Sequence, residues 1–278
     1  MRFLSLAALT VLELPPEEQI ICAQECGYQG IGLRLIPATP QETHYSLLTD
    51  KTRLQRVRAT LSSTDIQVLD IEIFRIKPDI KLESYEPYLE IGAELGARNM
   101  LVAGNDPDPK RLSEQWERLC EMTKPYNIKP HMEPMPWTDV KSYLDGIKLV
   151  EAGPEFGAVL IDPIHFFRAE GQCSQIQPEH TKRMGYVQLA DAPLLVPDTM
   201  EEILRQARED RLPPGDGKFP LLDLMLQLPA DLPISVEVPL AQRWNCKTEK
   251  EKAQIVFDYT SHFLQNISAE NKLNNQTK

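Results

Sequence analysis

The sequence predicts a single-domain α/β protein, a (β/α)8 barrel of the TIM type. Three observations carry that prediction. The chain has 278 residues, and one such barrel takes about 250. Short apolar runs alternate with longer amphipathic stretches almost to the end, with no break in composition, a pattern that belongs to a parallel sheet with helices outside it. The rival, an open doubly wound sheet, is expected to carry a glycine-rich phosphate loop after an early strand. Neither G-x-G-x-x-G nor G-x-x-x-x-G-K-[ST] occurs, and Gly30-Ile-Gly32 falls inside a strand.

The units follow in order. Residues 2–9 read as the first strand. Pro15-Pro16-Glu17-Glu18 opens a helix through Cys26, with prolines and acids where a first turn prefers them, and Gly27 stops it. Residues 30–35 form the second strand, and 50–63 a helix capped by Thr49 or Asp50. Strand three spans 66–74 and its helix 84–95, ended by Gly96. Strand four spans 99–103, with a helix over 109–124. Strand five spans 128–133, with a helix over 140–152. Strand six spans 157–162, with a short helix near 178–183. Strand seven spans 186–190, with a helix over 199–208. Strand eight spans 234–238, and a closing helix covers 247–265. The barrel is thus assigned to 1–267 and a polar, frayed tail to 268–278.

Two features stand outside the repeat. Residues 191–217 make a long connection that contains Arg211-Leu-Pro-Pro-Gly-Asp-Gly217, and long loops at a barrel mouth are usually functional. The start of the chain has one basic residue and a short apolar run, but Glu13 follows at once without a small-x-small cleavage site. It reads as a strand rather than a signal peptide.

Composition narrows the function. Forty-one acidic and 30 basic residues give a formal charge of −11, which disfavours a nucleic-acid backbone or an anionic membrane as partner. No apolar run approaches the ~18 residues that span a bilayer. The five cysteines, Cys22, Cys26, Cys120, Cys173 and Cys246, include no C-x-x-C pair. They point to a reducing cytoplasm rather than to disulfides or structural zinc. Cys22 and Cys26, at i and i+4 on one helix, read as small apolar residues near the core. A small-molecule substrate fits these limits, and a homodimer is compatible with them.

In such barrels the chemistry sits at the C-terminal ends of the strands. Strand five ends in His131-Met-Glu133 and strand six in Ile161-Asp162, with His165 three residues on. Strand seven carries Gln188, with Asp191 just beyond it. Strand eight ends in Val236-Glu237. Buried carboxylates are costly unless compensated, and a divalent cation is the simplest way to hold several at one mouth. The competing reading is that each acid caps a helix or pairs with a neighbour. Glu133, Asp162, Gln188 and Glu237 are all oxygen donors, a set that favours one Mg²⁺ or Mn²⁺, with Co²⁺ admissible, over zinc.

These runs resemble the xylose-isomerase-like barrel superfamily of sugar isomerases, epimerases and metal-dependent dehydratases. The runs are Met132-Glu133-Pro134, Ile161-Asp162-Pro163-Ile164-His165, Val187-Gln188-Leu189-Ala190-Asp191-Ala192-Pro193 and Ser235-Val236-Glu237-Val238-Pro239. The resemblance covers nearly the whole chain. It implies that Glu133, Asp162, residue 188 and Glu237 bind the metal, and that His165 is an acid/base. Most of the sugar epimerases carry histidine where this chain has Gln188. The glutamine form, with Asp191-Ala-Pro and the Arg211 loop, is similar to a bacterial 3-dehydroshikimate dehydratase branch. That loop more often reads Leu-Pro-Gly-Glu-Gly; the extra proline and Asp216 depart from it.

Two enzymatic readings follow. In the leading one, a metal-dependent isomerase or epimerase acts on a small polyhydroxy ketone through an enediolate, with Glu133 and Glu237 exchanging protons on opposite faces. In the alternative, a lyase dehydrates a cyclic polyhydroxy keto acid such as 3-dehydroshikimate or an inosose, with His165 moving the proton. Arg34, Glu72, His131 and Arg211 are the candidate substrate contacts, an arginine fork suiting a carboxylate or phosphate. Arg34 and Glu72 could instead pair with each other, and His131 could merely line the barrel. Trp137 either walls the pocket or packs. His44, His180 and His262 are expected at the surface. A barrel endonuclease would need a histidine-rich site and a basic groove, which five histidines and an acidic chain do not supply. A non-catalytic barrel would have lost the acids.

Overall fold

The computed structural model describes residues 2–240, 245 and 247–276, with side chains as far as 267 at the C-terminal end. Cys246 and the side chains of the 268–278 segment lie outside the described residues. Eight parallel strands form one curled sheet in the order β6-β5-β4-β3-β2-β1-β8-β7. They are β1 (Leu4–Leu6), β2 (Gly30–Arg34), β3 (Gln67–Ile76), β4 (Asn99–Gly104), β5 (Lys129–Met132), β6 (Ala158–Val159), β7 (Val187–Leu189) and β8 (Ile234–Val236). The first and last strands of the chain pair directly, Ser5 opposite Ser235. The remaining seam, between β6 and β7, is bridged by the Gln188 amide donating to the Ile161 carbonyl at 3.0 Å.

The helices are α1 (Pro16–Cys26), α2 (Lys51–Ser62), α3 (Glu86–Glu94), α4 (Pro109–Thr123), α5 (Tyr143–Ala152), α6 (Pro163–Arg168), α7 (Pro178–Thr181), α8 (Met200–Glu209), α9 (Leu221–Gln227) and α10 (Glu249–Gln276). Their ends follow local chemistry. Asp50 caps α2 by accepting from the Arg53 amide at 2.8 Å, and Ser142 with Asp145 forms a reciprocal capping box on α5. Gly27 ends α1 at φ +92°, where any side chain is strained, and a Cβ there would stand 3.1 Å from the Phe257 ring of α10.

Most of the core lies between sheet and helices, around residues such as Ile20, Phe74, Trp116 and Leu224. A smaller cluster of Leu69, Ile73, Leu101, Ala103, Met135, Leu160 and Tyr186 packs separately. Trp116 is fully buried and explains Gly153 and Gly157, whose Cβ atoms would come within 2.9 Å and 2.7 Å of its ring.

Three expectations are corrected. The first strand ends at Leu6, and a 3-10 turn follows at Ala8–Val11. There Thr10 Oγ1 donates to the Val236 carbonyl and accepts from the Val238 amide, both at 2.9 Å, tying the turn to β8. Helices α6 and α9 lie in stretches to which the sequence pattern assigns no element. The closing helix runs on to Gln276 rather than ending near residue 265. No helix among the described residues is long and apolar enough to cross a membrane.

Candidate active site at the barrel mouth

Each expected acid arrives from a strand end. Glu133 directly follows β5, and its amide donates to the Val102 carbonyl of β4 at 2.9 Å. Asp162 follows β6 and caps α6, Oδ1 accepting from the Ile164 amide at 2.7 Å. That cap places His165 on the first turn of α6, facing back over Asp162. Gln188 sits inside β7, and Glu237 directly follows β8, its amide bonded to the Leu189 carbonyl at 3.1 Å. All five side chains are buried.

Glu133, Asp162 and His165 offer one donor atom each within 4.8 Å of one another. His165 Nε2 stands 3.7 Å from Glu133 Oε1 and 3.7 Å from Asp162 Oδ2, and among the described residues His165 Nδ1 has no hydrogen-bond partner. Burial, countered only in part by Asp162, pushes this imidazole down to about 4, so it is neutral near pH 7. The Trp137 ring meets it edge-on, centroids 4.8 Å apart.

Glu237 joins the group through Arg211. This arginine is 2% exposed, and its guanidinium reaches Asp162 Oδ2 at 2.6 Å and Glu237 Oε2 at 2.8 Å. Its Nε donates to the Ala207 carbonyl at 2.7 Å. Burial raises Glu133 well above the usual carboxylate range, with Asp162 and Glu237 adding to it. Burial likewise pushes Glu237 up to about 7 despite Arg211. Burial would also raise Asp162, but Arg211, His165 and the Ile164 amide together hold it below its ordinary value.

The donors suit a cation. Among the described residues these three buried carboxylates share one ion-paired arginine, an excess of negative charge that a divalent ion would relieve. Gln188 Oε1 is buried with no partner among the described residues, an orphaned acceptor of the kind a hard cation takes. Glu133, Asp162, Gln188 and Glu237 could hold the ion, with His165 close enough to add a nitrogen.

The substrate candidates separate. Arg34 and Glu72 pair at 3.0 Å, and Arg34 also reaches Glu42 at 3.0 Å. Both line a cavity of about 370 Å³ together with Glu133, Trp137, His165, Arg211 and Glu237. Arg211 was expected to reach out as a substrate anchor, but its donors are spent on protein oxygens and it acts as counter-ion to the acids. His131 was expected to contact substrate, and the structure places it elsewhere. Its Nδ1 lies 2.9 Å from the Lys129 carbonyl, its Nε2 accepts from the Gly185 amide at 3.0 Å, and it is fully buried off the cavity. Burial holds it down at about 3.

Of the histidines expected at the surface, His262 is exposed. His44 is half-buried on the Leu35 carbonyl, and His180 half-buried on the Tyr143 hydroxyl. Arg75 and Arg208 line the cavity too, and the strand-end pattern did not single them out. Arg75 is the penultimate residue of β3, which runs two residues beyond its expected end and carries it to the mouth.

The family described as Xylose isomerase-like TIM barrel matches residues 22–257. A curated relative, the 3-dehydroshikimate dehydratase of Pseudomonas aeruginosa, is 26% identical over 167 residues, covering 56% of this chain and 26% of that protein. The match thus spans about a quarter of the relative's length. A solved xylose isomerase-like TIM barrel/4-hydroxyphenylpyruvate dioxygenase fusion protein superposes with TM-score 0.77 at 20% identity, over 97% of this chain and 44% of the other. The IolI protein, solved with a binding zinc atom, superposes with TM-score 0.76 at 17% identity, over 96% and 99%. These two likenesses show the fold.

Proposed function

Because this chain belongs to the xylose isomerase-like TIM barrel family, we propose that it removes a proton next to the ketone of a small polyhydroxy substrate and expels a β-hydroxyl. That makes it a metal-dependent dehydratase of a cyclic polyhydroxy keto acid. The observation that carries this reading is the asymmetry of the proton-moving groups. Epimerisation needs two acid/base groups on opposite faces of the substrate. Glu237, one of the two expected, has Oε2 bound to Arg211 at 2.8 Å, which commits that oxygen to the protein. His165 is neutral, lines the cavity and has no hydrogen-bond partner on Nδ1 among the described residues. With Glu133, Asp162 and Glu237 assigned to the ion, His165 is the base left for the substrate, and one base suits an elimination.

His165 takes the proton from the carbon beside the ketone. The resulting imidazolium is favoured by the Asp162 carboxylate, 3.7 Å from Nε2. The electron pair forms the carbon–carbon double bond as the β C–O bond breaks. The hydroxyl leaves as water with the proton that His165 returns, so the step is redox-neutral. Trp137 packs against the ring of His165 and limits its rotation. A divalent ion bound by Glu133, Asp162, Gln188 and Glu237 would polarise the ketone oxygen and make the neighbouring C–H more acidic. The all-oxygen set suits Mg²⁺ or Mn²⁺. The sequence match to a dehydratase supports the same direction.

The test is a rise in conjugated-product absorbance when the Mg²⁺- or Mn²⁺-loaded protein meets 3-dehydroshikimate or an inosose. His165→Asn should cut that rate by at least about 10²-fold. The second reading, epimerisation, rests on Glu133 and Glu237 both facing the cavity. Deuterium entering recovered keto sugars in heavy water, with no loss of water from any keto acid, would replace the first reading with it.

A further inference from the structure

Among the described residues, four arginines line the mouth cavity. Two are spent on protein carboxylates, Arg34 on Glu42 and Glu72, and Arg211 on Asp162 and Glu237. Arg75 and Arg208 are not. The side-chain hydrogen bond of Arg75 goes from Nη1 to the neutral Asn105 Oδ1 at 3.0 Å. Arg208, on the last turn of α8, is exposed. Among the described residues neither has a carboxylate within ion-pair distance. The contrast on α8 itself is sharp, since Arg205, three residues earlier, is held by Glu202 and Asp210.

The two unpaired arginines act on the same space. Burial is the larger reason that the Arg75 guanidinium is held below its ordinary value, and the charge of Arg208 is the next. Arg208 also bears on His165, after burial, Asp162 and Arg211. Two like charges turned to one cavity repel. A chain with a net charge of −11 has acids to spare, yet among the described residues none pairs with either arginine, and Glu133 offsets the repulsion at Arg75 only in part. Guanidinium groups so placed are receptors for an anion supplied from outside.

We propose that Arg75 and Arg208 form an anion clamp in the wall of the mouth cavity, which takes a carboxylate or phosphate on the substrate and so restricts the enzyme to acidic polyhydroxy compounds. The proposal rests on the reading of this cavity as the substrate's seat. It adds that the substrate's charge, and not only its ketone, is recognised. The clamp and two of the proposed metal donors, Glu133 and Glu237, line the same cavity, so a ring with a carboxylate on one side and a ketone on the other would engage both.

The test is calorimetric titration of the full chain with four probes: shikimate and its methyl ester, fructose 6-phosphate and fructose. At least one acid should bind about tenfold or more tighter than its neutral counterpart, and the pair with the larger ratio identifies the anion. Arg75→Gln and Arg208→Gln should each remove most of that ratio without changing the neutral affinity. Arg75→Lys and Arg208→Lys should restore part of it. Equal binding of acid and neutral probe by the wild type, or losses in the glutamine variants that fall alike on both, overturns the clamp. Failure to dehydrate any keto acid alongside a retained charge preference sinks the proposed reaction and leaves the clamp standing. Turnover of a keto acid by a wild type that binds acid and neutral probes alike does the reverse.

Discussion

Arg211 carries the charge balance of the mouth. Its fork neutralises Asp162 and Glu237 while its Nε is fixed to the Ala207 carbonyl. Removing one partner of a buried ion pair typically costs about 3–5 kcal/mol, because the other charge stays buried without compensation. Arg211→Met should therefore lower unfolding stability in urea by an amount of that order. Arg211→Lys should recover only part, since an ammonium cannot reach two carboxylates in a planar fork. A Met variant as stable as wild type would show that the acids relax apart on their own. At this scale the sequence told acids from arginines by position but not by partner. Arg211 reads as a substrate anchor because a loop arginine near a mouth has the right charge; only the fold shows its donors already used. His131 misleads for a related reason. Alternation puts it on the same face as Glu133, but it lies two residues lower, where the Lys129 carbonyl and Gly185 amide claim both nitrogens.

The connection between β7 and β8 is organised around Asp191. Its Oδ1 accepts from the amides of Ala192 at 2.8 Å and Phe219 at 3.1 Å, and its Oδ2 from those of Gly215 at 3.1 Å and Gly217 at 3.0 Å. Paired backbone bonds with Leu212 place Arg211 beside them. Gly217 must be glycine, since a Cβ would stand 2.2 Å from Asp191 Oδ1. Asp191→Asn exchanges one acceptor oxygen for an amide donor while keeping the shape. It should leave two N–H groups unsatisfied and cost on the order of 2–4 kcal/mol. Faster amide exchange at Gly215 and Gly217, with slower loss elsewhere, would place the damage in this loop; unchanged exchange there would refute the role. The sequence marked this stretch as functional through its length and its glycines. It could not show that one carboxylate holds four amides, because those partners lie 1 to 28 positions away. It also missed α6 and α9. Both have seven residues or fewer, too short to establish a 3.6-residue period.

The barrel as a whole is uneven. The longest strand, β3, pairs with both neighbours over most of its length, whereas β6 has two residues and β7 three. Between those two the backbone bond from Gln188 to Ile161 spans the seam. Eight largely apolar runs, each followed by an amphipathic stretch, were enough to predict the closed sheet. The weakness of this seam was not readable, because run length in sequence does not report ladder length. The proposed cation donors come from β5, β6, β7 and β8, so an ion held by them straddles the seam. Binding to the folded state alone stabilises by about 2.7 kcal/mol at a hundredfold excess over Kd. For a domain of this size, where each kcal/mol moves Tm by roughly 2–4 °C, that corresponds to a rise of roughly 5–11 °C. The location of the gain is the sharper test. Mn²⁺ or Mg²⁺ added to chelator-treated protein should slow amide exchange at Gln188 and Glu237 more than at Leu33 or Ile71 on the far side. Glu133→Gln and Asp162→Asn should abolish that difference. Uniform slowing, or none, would mean that the acids do not share one ion across the gap between β6 and β7.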